Sequence, residues 1–248
     1  MLNSEVIIYY ILSAFAVLVT LTVHECCHGY AAYKLGDPTA RSLGRLTLNP
    51  IKHLDPIGAL CMIVFHFGWA KPVPINPRYF KNPRRDFAIV ALAGPLSNII
   101  LSTFSALVCL ILASVYEMYA ISQSYVISLF TNAYTFFYIF HLVNLGIAIF
   151  NLIPIPPLDG SRIINVILPE RIYFKIMKYE RTIYYIMLAW LLLGDYVVRF
   201  LNSLPIVNAN PILSSIINIF SLSDILNYAI TNLSNLIFKL WQLIPFLA

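Results

Sequence analysis

The stretch TVHECCHGY, residues 22–30, decides the fold and points to the chemistry of this chain. It places His24, Glu25 and His28 in a His-Glu-x-x-His pattern at the end of a long apolar run. On a helix, residues four apart lie on one face, so both imidazoles can reach one metal ion. Glu25 projects beside them, where it can take a proton from a water on that metal. Because ionisable side chains are costly inside a membrane segment, their presence there indicates a functional site.

The composition indicates a membrane protein. Of 248 residues, 60% are hydrophobic and only 11% are charged, whereas soluble domains have roughly 45–50% apolar and about 25% charged residues. A soluble chain of this composition would lack the polar surface to cover itself. The net charge of +5 is therefore better explained by basic membrane-proximal loops than by nucleic-acid binding, and we expect no nucleic-acid partner. The first 33 residues contain no Lys or Arg, so we expect the first apolar segment to be retained rather than cleaved.

The apolar runs predict an all-α polytopic membrane protein with about five or six transmembrane helices. Full spans are predicted near residues 5–35, 86–116, 125–150 and 182–204, and residues 211–241 are interpreted as a last span or a surface helix. We expect one membrane-embedded domain over residues 1–248, with a core at about 5–204 and a C-terminal membrane segment at 205–248.

The segment after the first helix has a different character. Residues 44–48 alternate like a short strand, and several prolines interrupt the chain from there to the second full span. The apolar run at 57–70 is short for a span, so a re-entrant or interfacial segment is favoured over a short true span. The sequence therefore predicts a small β-rich or re-entrant segment here.

The basic residues predict the orientation of the chain. Of 16 Lys and Arg residues, nine lie between Lys34 and Arg85, and five lie between Arg162 and Arg181. With alternating spans both segments fall on one side, which is the cytoplasm by the positive-inside rule, and the N-terminus lies outside. The end of the first span and the proline-rich stretch NLIPIPPLDG, residues 151–160, then lie at similar depth near the cytoplasmic face.

This common depth suggests a third metal ligand. A catalytic zinc site has three protein ligands and an open position, and the two histidines supply two of them. Asp159 is the best candidate for the third. Asp86 lies at the same level but follows two arginines, which suggests a solvated helix cap instead.

Together, the His-Glu-x-x-His pattern and the stretch 151–160 resemble the site-two protease family of intramembrane metalloproteases. The stretches NPIKHLDP, residues 49–56, and AGPLSN, residues 93–98, are also similar to those of its compact members. The resemblance implies one Zn²⁺ held by His24, His28 and Asp159, with Glu25 as the general base. It implies hydrolysis of peptide bonds in or next to transmembrane segments, as in regulated intramembrane proteolysis, with membrane-protein substrates and the lipid bilayer as partners.

Two asparagines are weaker candidates. Asn98 and Asn151 are interpreted either as helix-packing residues or as contacts to the backbone of an unwound substrate. We expect no PDZ domain, because the connection between the second and third spans is too short for one, and no CBS pair, so that the usual filters for substrate entry would be missing. A metal transporter and an inactive scaffold of the same fold are the alternatives; the single ligand cluster and the presence of Glu25 argue against them.

Overall fold

The computed structural model describes residues 4–58, 61, 69–119, 123–218 and 221–244, and these are predominantly helical. The α-helices, in chain order, are α1 Ser4–Lys34, α2 Thr39–Ser42, α3 Pro83–Met118, α4 Ser124–Leu152, α5 Asp159–Ile164, α6 Glu170–Lys178, α7 Glu180–Ser203, α8 Pro205–Asn208, α9 Pro211–Asn218 and α10 Leu222–Trp241. Two 3₁₀ helices, Pro50–Lys52 and Pro77–Tyr79, lie between α2 and α3.

Four of these helices are long and apolar enough to cross a membrane: α1, α3, α4 and α7. They coincide closely with the four full spans expected from the sequence, which confirms an all-α membrane protein. The pair α9 and α10, bent by 79°, would make a fifth span if it is counted as one segment. The total of five or six spans stays a prediction.

The end of α1 is set by local chemistry. Gly36 adopts a left-handed conformation with φ of 106°, which glycine tolerates without steric cost. The amide of Gly36 bonds to the carbonyl of Tyr33 and that of Asp37 to the carbonyl of Ala32, the pattern of a Schellman cap. Asp37 is fully buried, and its Oδ2 atom accepts the amide of Asn76 at 2.7 Å. The cap therefore ties the end of α1 to the chain that precedes α3.

The predicted strand at residues 44–48 is not confirmed, because these residues form turns and bends. Gly44 has a left-handed φ of 64°, and Asn49 caps the next 3₁₀ helix. The backbone therefore changes direction at both ends of residues 44–48. Within the described part of the chain, β pairing is limited to one antiparallel bridge between Leu54 and Ala70. Most of the predicted re-entrant segment at 57–70 lies outside the described residues.

The core of the molecule is the three-helix packing of α1, α3 and α4. Ala16 of α1 packs with Ile139 and Phe140 of α4, and Leu101 of α3 closes the cluster. The helix α10 packs on α4 and α3, where the indole nitrogen of Trp241 donates to the carbonyl of Thr103 at 2.9 Å. These contacts fix the relative rotation of the helices that carry the polar residues of the motifs.

Candidate metal centre

Three side chains that can bind a metal converge where α1 meets the start of α5. The Nε2 atoms of His24 and His28 are 3.0 Å apart, and the Oδ2 atom of Asp159 lies 3.3 Å and 3.2 Å from them. His24 and His28 are buried, with 4% and 6% of their surface exposed. This is the one group of at least three such ligands found in the described part of the chain, and it contains the three residues that the sequence singled out.

Gly94 of α3 provides the space for the two imidazole rings. A Cβ atom at this position would lie 2.4 Å from Nε2 of His28 and 2.7 Å from Cε1 of His24. Contacts this short are incompatible with the arrangement. The sequence marked Gly94 only as part of the stretch AGPLSN, residues 93–98, whereas in the structure the two rings occupy the volume that a side chain would take.

The second nitrogen of each ring identifies its tautomer. Nδ1 of His28 lies 2.7 Å from the carbonyl oxygen of Val90, and Nδ1 of His24 lies 2.5 Å from Oδ1 of Asn98. A carbonyl oxygen only accepts hydrogen bonds, so each Nδ1 is assigned the hydrogen. Both Nε2 atoms then carry lone pairs, and these face each other and the carboxylate of Asp159.

Three electron-pair donors that face one point repel each other unless a proton or a metal cation lies between them. Oδ2 of Asp159 is buried and has no hydrogen-bond partner among the described residues. Burial raises the pKa of Asp159, but the two imidazoles beside it outweigh burial and hold the pKa at about 2. The carboxyl is therefore ionised, as a metal ligand must be. Two neutral imidazoles and one carboxylate match the donor set of a catalytic zinc site.

Asp159 reaches the histidines because a tight hairpin comes directly after α4. Pro154, Pro156 and Pro157 end the helix, since proline cannot continue it. A Cβ atom on Gly160 would lie 2.3 Å from the carbonyl oxygen of Leu152, so the chain after Asp159 touches the backbone of the end of α4.

Asp86, the alternative ligand from the sequence, instead accepts the amide of Asn82 at 3.0 Å in the first turn of α3.

Glu25 lies beside the ligands and is partly exposed. Its Oε2 atom accepts the backbone amide of Val73 at 2.8 Å. The flanking residues Pro72 and Pro74 have no backbone N–H, so Val73 supplies the one amide donor of this tripeptide. No sequence pattern indicates this contact, because it joins α1 to an irregular segment. The geometry leaves Oε1 of Glu25 without a partner among the described residues.

The two asparagines differ in position. Asn98 is fully buried, and both ends of its amide are engaged, by His24 and by Asn144 of α4. Its amide thus joins α1, α3 and α4, and a role of Asn98 in substrate binding stays a prediction. Asn151 is partly buried and donates to the carbonyl of Ile147 at 3.0 Å, one turn back, so its role in substrate binding stays a prediction. Asn144 was not predicted from the sequence, although a polar residue within an apolar span is itself a signal.

Comparison with known proteins agrees with this geometry. Residues 12–194 match Peptidase family M50. YwhC of Bacillus subtilis, named as a candidate zinc metalloprotease, is 42% identical over 206 residues, which cover 82% of this chain and 88% of the relative. Zinc metalloprotease MJ0392 of Methanocaldococcus jannaschii is 29% identical over 191 residues, 75% of this chain and 44% of the relative.

A third relative, Rip2 of Mycolicibacterium smegmatis, is also named as a candidate zinc metalloprotease and is 33% identical over 91 residues, 34% of each chain. No solved structure matches the chain. The family match extends over most of the sequence, from α1 into α7, and includes the complete three-residue cluster. The chain therefore belongs to peptidase family M50, the site-two protease family that its motifs resemble.

Proposed function

We propose that this chain is an intramembrane zinc metalloprotease that hydrolyses peptide bonds in or next to the transmembrane segments of membrane proteins. The proposed zinc ligands are His24, His28 and Asp159, and Glu25 is the proposed general base. The membership in peptidase family M50 supports the reaction class, and the names of the relatives support zinc as the metal.

One observation carries the proposal: three side chains that can bind a metal converge on one point, with their ligand atoms 3.0 to 3.3 Å apart. Nδ1 of each histidine holds a ring hydrogen against an acceptor, so in the neutral ring, the form that binds a metal, Nε2 carries a lone pair directed at this point. Zinc(II) suits two imidazoles and a carboxylate, and three protein ligands leave a coordination position open for substrate or water.

The residues around the ligands support a hydrolytic role. When bound, zinc polarises a scissile carbonyl and makes a water molecule more acidic. Glu25 is adjacent to the ligands, partly exposed, and held at one oxygen by the amide of Val73. Its free Oε1 takes the proton of the attacking water and delivers it to the leaving amine, which completes the hydrolysis without a covalent intermediate.

The location of the cluster supports a substrate inside the membrane. His24 and His28 lie in the last third of α1, a helix that suits a membrane span, and Asp159 follows the end of α4, which suits another. We propose that the site lies near the cytoplasmic face of the cell membrane with the N-terminus outside, because the basic residues concentrate beside these two helix ends. Water reaches a site at this depth, and a substrate helix that unwinds locally exposes its carbonyls.

We also propose a single domain. The C-terminal helix α10 packs on α3 and α4, and Nε2 of His141 in α4 lies 2.8 Å from Oγ of Ser234 in α10. This buried polar contact joins the C-terminal segment to the helices that form the metal centre. It supports a membrane-embedded unit over residues 1–248 rather than a core with a separate appendage.

The test uses the purified full-length chain in liposomes with a membrane-anchored test substrate. Cleavage within or beside the transmembrane segment of the substrate is expected, with loss of activity on addition of a zinc chelator and recovery on addition of Zn²⁺. A soluble unfolded peptide with the same cleavage sequence is the control for the membrane requirement. Zinc transport across the liposome without cleavage would identify a transporter and contradict the proposal.

A further inference from the structure

A continuous chain of buried hydrogen bonds connects His24 to the backbone of α4. Nδ1 of His24 contacts Oδ1 of Asn98 at 2.5 Å, and Nδ2 of Asn98 donates to Oδ1 of Asn144 at 2.9 Å. Nδ2 of Asn144 then donates to the carbonyl of Phe140 at 2.8 Å and to Oγ1 of Thr20 at 3.0 Å. The chain of bonds begins on α1, crosses α3 and ends on α4 and α1.

The carbonyl of Phe140 determines the direction of every bond in this chain. A backbone carbonyl only accepts, so Asn144 must turn its Nδ2 toward it and its Oδ1 toward Asn98. Asn98 must then present Nδ2 to Asn144 and Oδ1 to His24. Because Oδ1 only accepts, Nδ1 of His24 must carry the ring hydrogen. The lone pair of Nε2 is thereby left on the side of the metal centre.

Burial makes this direction hard to reverse. Thr20, Asn98 and Asn144 have no exposed surface, so water cannot replace a lost partner. Rotation of either amide by half a turn would bring two acceptors or two donors together, and a buried unsatisfied polar group is costly. His28 needs no such chain, because its Nδ1 contacts the carbonyl of Val90 directly. Only the tautomer of His24 therefore depends on side chains.

We propose that Asn144 is a positioning residue for the metal centre: acting through Asn98, it selects the tautomer of His24 that leaves Nε2 free to bind zinc. Asn144 contacts neither the metal ligands nor the position that the metal would take. The inference rests on the proposed zinc site. The inference adds that Asn144 on α4, which is not a metal ligand, increases the zinc affinity of that site.

The first measurement is the zinc affinity of the purified full-length protein, obtained by competition with a chelator. Asn144→Leu removes both the donor and the acceptor, so the amide of Asn98 is free to rotate. Groups that orient metal-bound histidines typically contribute roughly 10- to 100-fold in metal affinity, and a loss in this range is expected. Asn144→Ala, which adds no bulk, is the second variant and is expected to show the same loss.

The matched control is Ser105→Ala. Ser105 is also fully buried, and its Oγ donates to the carbonyl of Phe137 at 3.1 Å across the same pair of helices, α3 and α4. The substitution removes a buried bond between these helices but leaves the path to His24 intact. Unchanged zinc affinity is expected. An equal loss of affinity in Ser105→Ala and Asn144→Leu would show that helix packing, rather than the tautomer of His24, is what changed.

A variant at position 98 separates an effect on the orientation of His24 from an effect on helix packing. Asn98→Asp places a carboxylate against Nδ1 of His24, and a carboxylate accepts a hydrogen bond whichever oxygen it presents. In this background the orientation of His24 no longer depends on Asn144. Asn98→Asp is therefore expected to keep the zinc affinity within a few-fold of the parent. Its second carboxylate oxygen faces Oδ1 of Asn144, so the single variant is expected to be less stable. Addition of Asn144→Leu removes that acceptor and should cost no further zinc affinity.

The outcomes distinguish the two proposals. If the parent protein binds no zinc, the proposed function itself fails. If the parent binds zinc and Asn144→Leu binds it equally well, the inference about Asn144 fails and the proposed function stands. An equal loss from Asn144→Leu in the parent and in the Asn98→Asp background would also overturn the inference, because the effect would then not pass through the amide of Asn98.

Discussion

The Nε2 atom of His24 lies 3.3 Å from the Oδ2 atom of Asp159, although the first residue is on α1 and the second comes after α4. This contact joins two residues that lie far apart in the sequence. It depends on the packing of α1 against α4 and on the hairpin that returns Asp159 to the end of α4. The metal centre therefore exists only in the folded protein, so variants that weaken zinc binding report on helix packing as well as on the ligands.

Replacement of Asp159 by alanine is expected to weaken zinc binding by more than about 100-fold. Residues that only orient the ligands contribute roughly 10- to 100-fold, and the loss of a ligand should exceed this range. The physical reason is the loss of the one anionic donor beside two neutral imidazoles. Metal analysis of the purified variant after dialysis measures the effect. Glu170→Gln is the control, because Glu170 is exposed, lies outside the ligand cluster and pairs with Arg84 at 3.8 Å. Normal zinc retention in Asp159→Ala would assign the third ligand to another residue.

Gly94→Ala is expected to disrupt the same site by steric overlap. The added methyl group would lie 2.5 Å from Cε1 of His28, so a ring or the helix α3 must move, at a cost of about 1–3 kcal/mol in the free energy of unfolding. Zinc affinity should fall with it. Thermal unfolding and chelator competition measure the two effects.

The matched glycine control is Gly146→Ala on α4. There the added methyl group would meet only the Cδ1 atom of Ile230 at 3.2 Å, the end of a flexible side chain. Little change in zinc affinity is expected. If Gly94→Ala bound zinc as tightly as Gly146→Ala, the close approach of α3 to the two rings would be unimportant for the site.

Sequence patterns were sufficient for the features that depend on local chemistry. The four long helices follow from apolar runs and from their end signals, and the alignment of His24 with Asp159 follows from the charges beside the spans. The strand at 44–48 was not confirmed because alternation alone does not supply a pairing partner. The partners of His24 and Glu25 could not be predicted, since which polar groups meet depends on how α1, α3 and α4 are rotated against each other.

Glu25→Gln is expected to separate metal binding from catalysis. The amide is nearly the same size as the carboxylate and lies outside the ligand cluster, so zinc should be retained. It cannot take a proton from water, and general-base catalysis contributes about 10²- to 10⁴-fold, so cleavage should fall at least by this factor. Parallel assays of zinc content and cleavage in liposomes measure both effects. Full cleavage by this variant would remove Glu25 from the mechanism.

The amide of Val73 provides the last prediction, because it is the contact that orients the proposed base. Val73→Pro removes this amide hydrogen, and Val73 lies in a segment without helix or strand, where proline interrupts no regular backbone pairing. Loss of a hydrogen bond to a charged group, worth about 1.5–3 kcal/mol, should lower kcat/KM by roughly 10- to 100-fold. Zinc affinity should be unchanged, since the amide of Val73 bonds to Glu25, which lies outside the ligand cluster.

Val73→Ala is the matched control, because it shortens the side chain but keeps the backbone amide. Near-normal kcat/KM is expected for this variant, apart from a small packing effect where Cγ1 of Val73 approaches Gly29. Equal losses in the alanine and proline variants would assign the effect to the side chain rather than to the amide. A loss confined to the proline variant, with zinc retained, would show that the irregular segment before α3 holds the base in position through one backbone N–H.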